Sequence, residues 1–152
     1  MPRGYSFVEL VFTLGVAVTL GAAAAPQLQT TLDEVRAAGA VRFVSTRLQQ
    51  ARMEAIARSA DVGFQFVLRG DGYTFAGFVD GNGNGVRTSD IEQGVDSRIS
   101  PTERIPDRFR GVDFGVVAGL PPVDPGGAAP GADPIKLGTS NIVTFTPLGT
   151  SS

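Results

Sequence analysis

The chain begins with a long apolar run that is almost free of polar residues. Across residues 5–25, "YSFVELVFTLGVAVTLGAAAA", Glu9 is the only side chain that carries charge at neutral pH. At about 1.5 Å rise per residue these positions span roughly 31 Å as a helix, the thickness of the hydrocarbon core of a bilayer. The pattern therefore predicts a membrane-spanning helix. Arg3, just ahead of the run, favours keeping the N-terminus on the cytoplasmic side. A secretory signal peptide would instead show a longer basic leader, a shorter apolar core and a small-residue cleavage site after that core.

Beyond Pro26 the sequence changes character without losing helical spacing. Leu28, Leu32, Val35, Val41, Val44, Leu48, Ala51 and Ala55 recur at intervals of three, four or nearby multiples, and no proline intervenes before Pro101. The spacing predicts an amphipathic continuation of the helix over residues 26–59. Arg36, Arg42, Arg47, Arg52 and Arg58 lie between the apolar positions, with a wide angular spread that suits a solvated face, and Glu54 precedes Arg58 at i,i+4 spacing. Near Ser59 the period switches to two. Val62, Phe64, Phe66 and Leu68 alternate with Gly63, Gln65 and Val67, and "RGDG" supplies a turn before residues 73–79, so an antiparallel hairpin is predicted. Further strands are expected at residues 112–117 and 141–145. The Pro/Gly-rich stretch 119–138 between them reads as a surface loop. These elements amount to an α+β fold: one long helix whose second half packs on a small antiparallel sheet, with a soluble domain over residues 60–152.

Composition narrows the chemistry. The 152 residues contain neither Cys nor His. Disulfides and thiolate chemistry are thereby excluded, and the commonest general base and metal ligand is missing. No nucleophile and base pair is recognisable without them, and no phosphate-binding glycine loop precedes a helix, so an enzyme is not expected. Residues 1–60 hold six Arg and four acids, whereas residues 61–152 hold seven basic groups and eleven acids. That mildly acidic C-terminal part argues against a general nucleic-acid surface.

The stretch "RGYSFVEL" resembles the leader signal of type IV prepilins and type II secretion pseudopilins. In that family a short basic leader ends in Gly, and the hydrophobic helix after it carries Glu at its fifth mature position. The resemblance implies cleavage between Gly4 and Tyr5 by a prepilin peptidase, N-methylation of Tyr5, and an assembly role for Glu9. Tyr5 stands where Phe is usual, which keeps an aromatic ring. Pro26 falls where many such helices carry a kink-inducing proline. The soluble half is similar to the minor pseudopilins and minor pilins of GspH/FimT type in "RMEAIARSADVGFQF", "GFVDGNGNGVR" and "IVTFTPLGTSS". Members of that branch usually continue past such a strand with one or two more, whereas this sequence stops at Ser152, so the domain is expected to lack its last strands.

What the resemblance implies is a structural subunit that helps initiate or cap a type II secretion pseudopilus or type IV pilus. Its leader would be residues 1–4, its transmembrane and assembly helix residues 5–25. The implied partners are other minor subunits, the prepilin peptidase and the inner-membrane assembly platform. The implied location is the bacterial inner membrane with the C-terminal domain in the periplasm, and then a filament. The alternatives from other classes are a DNA-uptake minor pilin and a plain membrane-anchored periplasmic domain.

Two local clusters carry further candidate chemistry. In "DGNGNGVRTSDIEQG", Asp80, Asn82 and Asn84 with Gly85 reproduce the first half of an EF-hand calcium loop, but position twelve is Ile91 in place of the bidentate Glu. A bound calcium would draw on Asp80, Asn82, Asn84, the Val86 carbonyl and Asp90 or Glu92. A Gly/Asn-rich turn closing a loop after a strand is the simpler reading, because half a calcium motif is common in such turns. The second cluster, Arg98, Arg104, Arg108 and Arg110, is interrupted by Glu103 and Asp107, and Asp113 follows. It reads as a solvated loop and not as a DNA patch.

Overall fold

A computed structural model describes residues 6–151 except Asp71, Ala118, residues 122–130, 132, 136, 138 and 139; for residues 23–26 it describes the helical backbone only. Most of the loop expected at 119–138 lies outside the described residues, as do Gly4 and Tyr5.

Helix α1 (Phe7–Arg58) runs unbroken for 52 residues and continues through position 26. The side chain of Pro26 lies outside the described part. At about 1.5 Å per residue the helix is roughly 78 Å long, far more than its domain can cover. It ends where the sequence places its end. Ser59 adopts a left-handed conformation (φ 52°, ψ 36°), its N–H donates to the Ile56 carbonyl, and the Ala60 N–H donates back to the Ala55 carbonyl. This is a Schellman closure with serine where glycine is usual.

Strands β1 (Val62–Arg69) and β2 (Gly72–Val79) form the expected hairpin, with Phe66 opposite Phe75. A short helix α2 (Thr88–Glu92), a two-residue strand β3 (Ser97–Arg98) and β4 (Ile142–Phe145) follow. Among the described residues the sheet is four-stranded and antiparallel in the order β3-β2-β1-β4.

The core lies between α1 and one face of this sheet. The helix contributes the buried Ala40, Ala51 and Ala55 and the partly buried Phe43, Val44 and Leu48, and the strands contribute Val62, Phe64, Phe66, Phe75 and Phe145. Pairing small helix residues with large sheet residues lets the helix sit close to the aromatic layer, whose rings meet at tilted or edge-on angles such as Phe64–Phe75 (5.4 Å) and Phe66–Phe114 (5.6 Å, 89°). A second, smaller cluster on the opposite face joins Ala76, Phe78, Val86 and Ile142. Gly63 is required there: a side chain at that position would run into Val86 and Ile142.

Three expectations change. Residues 112–117 are not a strand, although Val112 and Phe114 pack on the core. The alternation there reports one-sided burial only. Neither central strand has a ladder open to the segment, since β1 is flanked by β2 and β4 while β2 is covered by β3 and the Phe75–Glu103 bridge, and the segment pairs with neither edge strand. The helix contact face also begins later than its spacing implies. Leu28, Leu32, Val35 and Val41 are exposed, and the first buried residue of the helix is Ala40. Finally, Arg47 is not on a solvated face. Its guanidinium meets Glu103 at 2.6 Å, and Arg108 approaches the same oxygen at 3.2 Å.

Candidate functional site

The apolar half of α1 is the first candidate. Ser6 stands at the N-cap without a side-chain cap bond, and Glu9 falls in the first helical turn, where the positive end of the helix dipole favours a carboxylate. Around it Phe7, Val8 and Phe12 are 80%, 74% and 71% exposed, so this segment has no partner within its own domain. The other polar side chains of the segment are concealed locally. Thr13 donates its hydroxyl to the Glu9 carbonyl (2.9 Å), and Thr19 donates to the Gly15 carbonyl (3.1 Å). Glu9 is left as the one ionisable group on an otherwise apolar surface among residues 6–22. By length and composition this stretch can cross a membrane, and its most apolar window is entirely unburied.

The loop after β2 is the second candidate. Asp80 organises it: one carboxylate oxygen accepts the N–H of Asn82 (2.9 Å) and Gly83 (2.8 Å), and the other accepts the N–H of Gly85 (2.7 Å). Partial burial pushes the Asp80 carboxyl up, but the peptide N–H groups of Asn82, Gly85, Gly83 and Asn84 together outweigh it and hold the group below the usual aspartate value. Asn82 Oδ1 accepts the Asn84 N–H (3.2 Å), and Asn82 Nδ2 donates to Asp90 (3.3 Å). Asp90 also sits below its ordinary value, chiefly through a hydrogen bond from the Asn84 side chain.

The structure thus gathers Asp80, Asn82, Asn84 and Asp90. Glu92 is exposed and has no hydrogen bond within this network, and the Val86 side chain is buried in the smaller core cluster. Among the described residues no group of three or more acids is arranged to hold a metal ion. Sequence reasoning missed Asp96, the most buried acid among the described residues at 2% exposure, which accepts the N–H of Gly81 (3.1 Å) and of Arg87 (3.0 Å) and closes the loop from the far side. Nothing local marks it, because its partners lie nine and fifteen residues upstream.

No family model matches the chain, and no solved structure matches it. Among curated proteins, the "Pilin-like protein PilA1" of Thermus thermophilus is 38% identical over 85 residues, which are 54% of this chain and 51% of that protein. The chain therefore spans about half the length of this relative. The long N-terminal apolar helix packed on a small antiparallel sheet agrees with a pilin-like α+β fold.

Proposed function

We propose that this chain is a structural subunit of a type IV pilin-like filament, and more narrowly a minor pseudopilin or minor pilin of GspH/FimT kind that helps initiate or cap the assembly. The observation that carries the reading is the unpartnered apolar half of α1 with Glu9 in its first turn. In lipid, a helical carboxylate costs free energy, up to about 2.5–3.5 kcal/mol at the bilayer centre and less near an end. In a bundle of such helices the cost is offset if a positive group approaches. Cleavage after Gly4 by a prepilin peptidase would create one at the methylated amine of Tyr5, and pairing with Glu9 of a neighbouring subunit would reward extraction and fix axial register. The similarity to a pilin-like protein over half its length supports the same class. The assembly platform of the inner membrane is the site where this exchange would occur, and the β domain would face the periplasm. The loop at Asp80 serves in this reading as a self-capped turn that holds β2 to β3.

Intact-mass analysis of protein extracted from membranes tests the proposal. The expected mature chain begins at Tyr5 and carries one extra methyl group on its terminal amine. A mature chain that still begins at Met1 or Pro2 would overturn it.

A further inference from the structure

The loop after β2 carries chemistry that the filament reading does not use. In "DGNGNG", residues 80–85, Asp80, Asn82 and Asn84 are each followed by glycine. The fold demands two of those glycines: Gly83 and Gly85 have φ of 79° and 84°, a region that L side chains rarely adopt. The same choice makes the chain chemically labile. Asparagine is a thermolabile residue because its side-chain carbon Cγ can be attacked by the backbone nitrogen of the next residue, and a following glycine leaves that nitrogen uncrowded. Meeting the geometry of the turn thus places two Asn-Gly links on an exposed loop.

The hydrogen bonds counter this liability. Each glycine nitrogen of the stretch is bonded to a carboxylate: Gly81 donates to Asp96 Oδ1 (3.1 Å), Gly83 to Asp80 Oδ1 (2.8 Å) and Gly85 to Asp80 Oδ2 (2.7 Å). The attacking nitrogen must shed its proton and turn toward Cγ. An N–H directed at a carboxylate is misaligned for that attack, and a negative nitrogen beside a negative oxygen is disfavoured, so reaction waits for the loop to open. The two asparagines are not held alike. Asn82 is fixed at both ends, Oδ1 accepting the Asn84 N–H (3.2 Å) and Nδ2 donating to Asp90 (3.3 Å), whereas the Asn84 side chain is exposed and bonds to Asp90.

We propose that Asn84–Gly85 is a site of spontaneous deamidation and that Asp80 is the residue that restrains it. The Gly85 nitrogen gives up its proton to solvent and forms a bond to Asn84 Cγ; the Cγ–Nδ2 bond breaks, and Nδ2 takes up a proton and leaves as ammonia. Water then opens the cyclic imide at either carbonyl, which gives aspartate at position 84 in its normal or its β-linked form. One water is consumed, one ammonia is released and no electrons change hands. The product removes its own restraint. A carboxylate replaces the donor that faces Asp90, and in the β-linked form an added backbone atom shifts the Gly85 nitrogen away from Asp80. Conversion at Asn82–Gly83 then follows. The site belongs to the β domain and stands or falls independently of leader processing.

The test incubates the full-length protein in neutral detergent micelles in mildly alkaline buffer and samples it over time by tryptic digestion and mass spectrometry. Cleavage after Arg69 and Arg87 releases fragment 70–87, in which backbone fragmentation assigns each amide-to-acid exchange to Asn82 or Asn84. The same fragment, synthesised and incubated free, supplies the unrestrained rate. With the open loop populated at roughly 0.1–10%, the folded chain should convert roughly 10 to 1,000 times more slowly than the fragment, and Asn84 should precede Asn82. Asp80→Ala should bring the rate close to that of the fragment. Glu103→Ala, which loosens the helix contact far from the loop, should leave it at the unmutated level. Equal rates in folded chain and fragment, conversion of Asn82 first, or no acceleration in Asp80→Ala would overturn the proposal. So would equal acceleration by Glu103→Ala, since general unfolding and not Asp80 would then set the rate. The rate ratio and the order of conversion are read on the unmutated chain, so a misfolded variant does not decide the outcome.

Discussion

Glu103 is the group whose removal should most loosen the helix from the domain. Its side chain is only 10% exposed, and one oxygen receives both Arg47 (2.6 Å) and Arg108 (3.2 Å). The same two guanidinium groups flank the Phe43 ring at 5.2 and 4.8 Å, so carboxylate, cations and ring form one unit joining α1 to the segment after β3. Glu103→Ala deletes the centre of that unit. Hydrogen bonds to charged groups contribute about 1.5–3 kcal/mol each, and the Arg47 bond, three-quarters shielded, belongs in that range. The Arg108 bond, with its arginine 57% exposed, adds at most a few tenths. The sum is about 2–3 kcal/mol, or roughly 8–24 °C of melting temperature for a domain of this size. Differential scanning calorimetry of the full chain in detergent reads it, and a double-mutant cycle with Arg47→Met isolates the pair. A coupling energy under about 0.5 kcal/mol would refute the reasoning and return Arg47 to the solvated face that its sequence position suggests.

Two further predictions concern the domain. Ser59→Gly should stabilise it by about 0.5–1 kcal/mol, because a side chain held in the left-handed region is strained and glycine is not; thermal melts check this, and a loss of stability would mean that the Ser59 side chain contributes something unseen. Asp80 is held below its ordinary value, so its contribution is present above the unfolded aspartate pKa near 3.9 and is lost as pH falls through the lower folded value; acid titration of the melting temperature should show a drop that begins below about pH 4 and is reduced in Asp80→Asn. In the turn reading millimolar calcium leaves the melting temperature unchanged, whereas a rise abolished by Asp80→Ala would establish a cation site instead.

The parts of the fold that were legible in the sequence are those set by local rules. The end of α1 at Ser59, the β1–β2 hairpin and the strand at 142–145 follow from period and turn chemistry alone. What was illegible depends on partners distant in sequence. Leu28 and Leu32 have the spacing of a buried face, but burial requires something opposite, and the first buried residue of the helix is Ala40, beside Gly39 where the Phe109 ring lies close. Residues 112–117 alternate like a strand, yet strand formation needs a pairing partner, and the segment packs Val112 and Phe114 on the core without joining any strand of the sheet. Arg47 and Glu103 are 56 residues apart, and no spacing rule connects them. Of the candidate site residues, Glu9 was evident because a lone charge in an apolar run is conspicuous, whereas Asp96 looked like any loop aspartate.

The central claim is that Glu9 serves assembly and not insertion. Glu9→Val removes the one acid from the apolar segment, so membrane association should persist or improve slightly, and processing should persist because the leader and Gly4 are unchanged. What should fail in the proposed filament is pairing, since the methylated amine of a neighbouring subunit would lose its counter-charge. Co-purification of crosslinked complexes from cells in which Glu9→Val replaces the native chain measures this directly. The account predicts a trimmed, membrane-bound protein with a marked loss of crosslinked pilin-like partners; recovery of those partners at the unmutated level would contradict it.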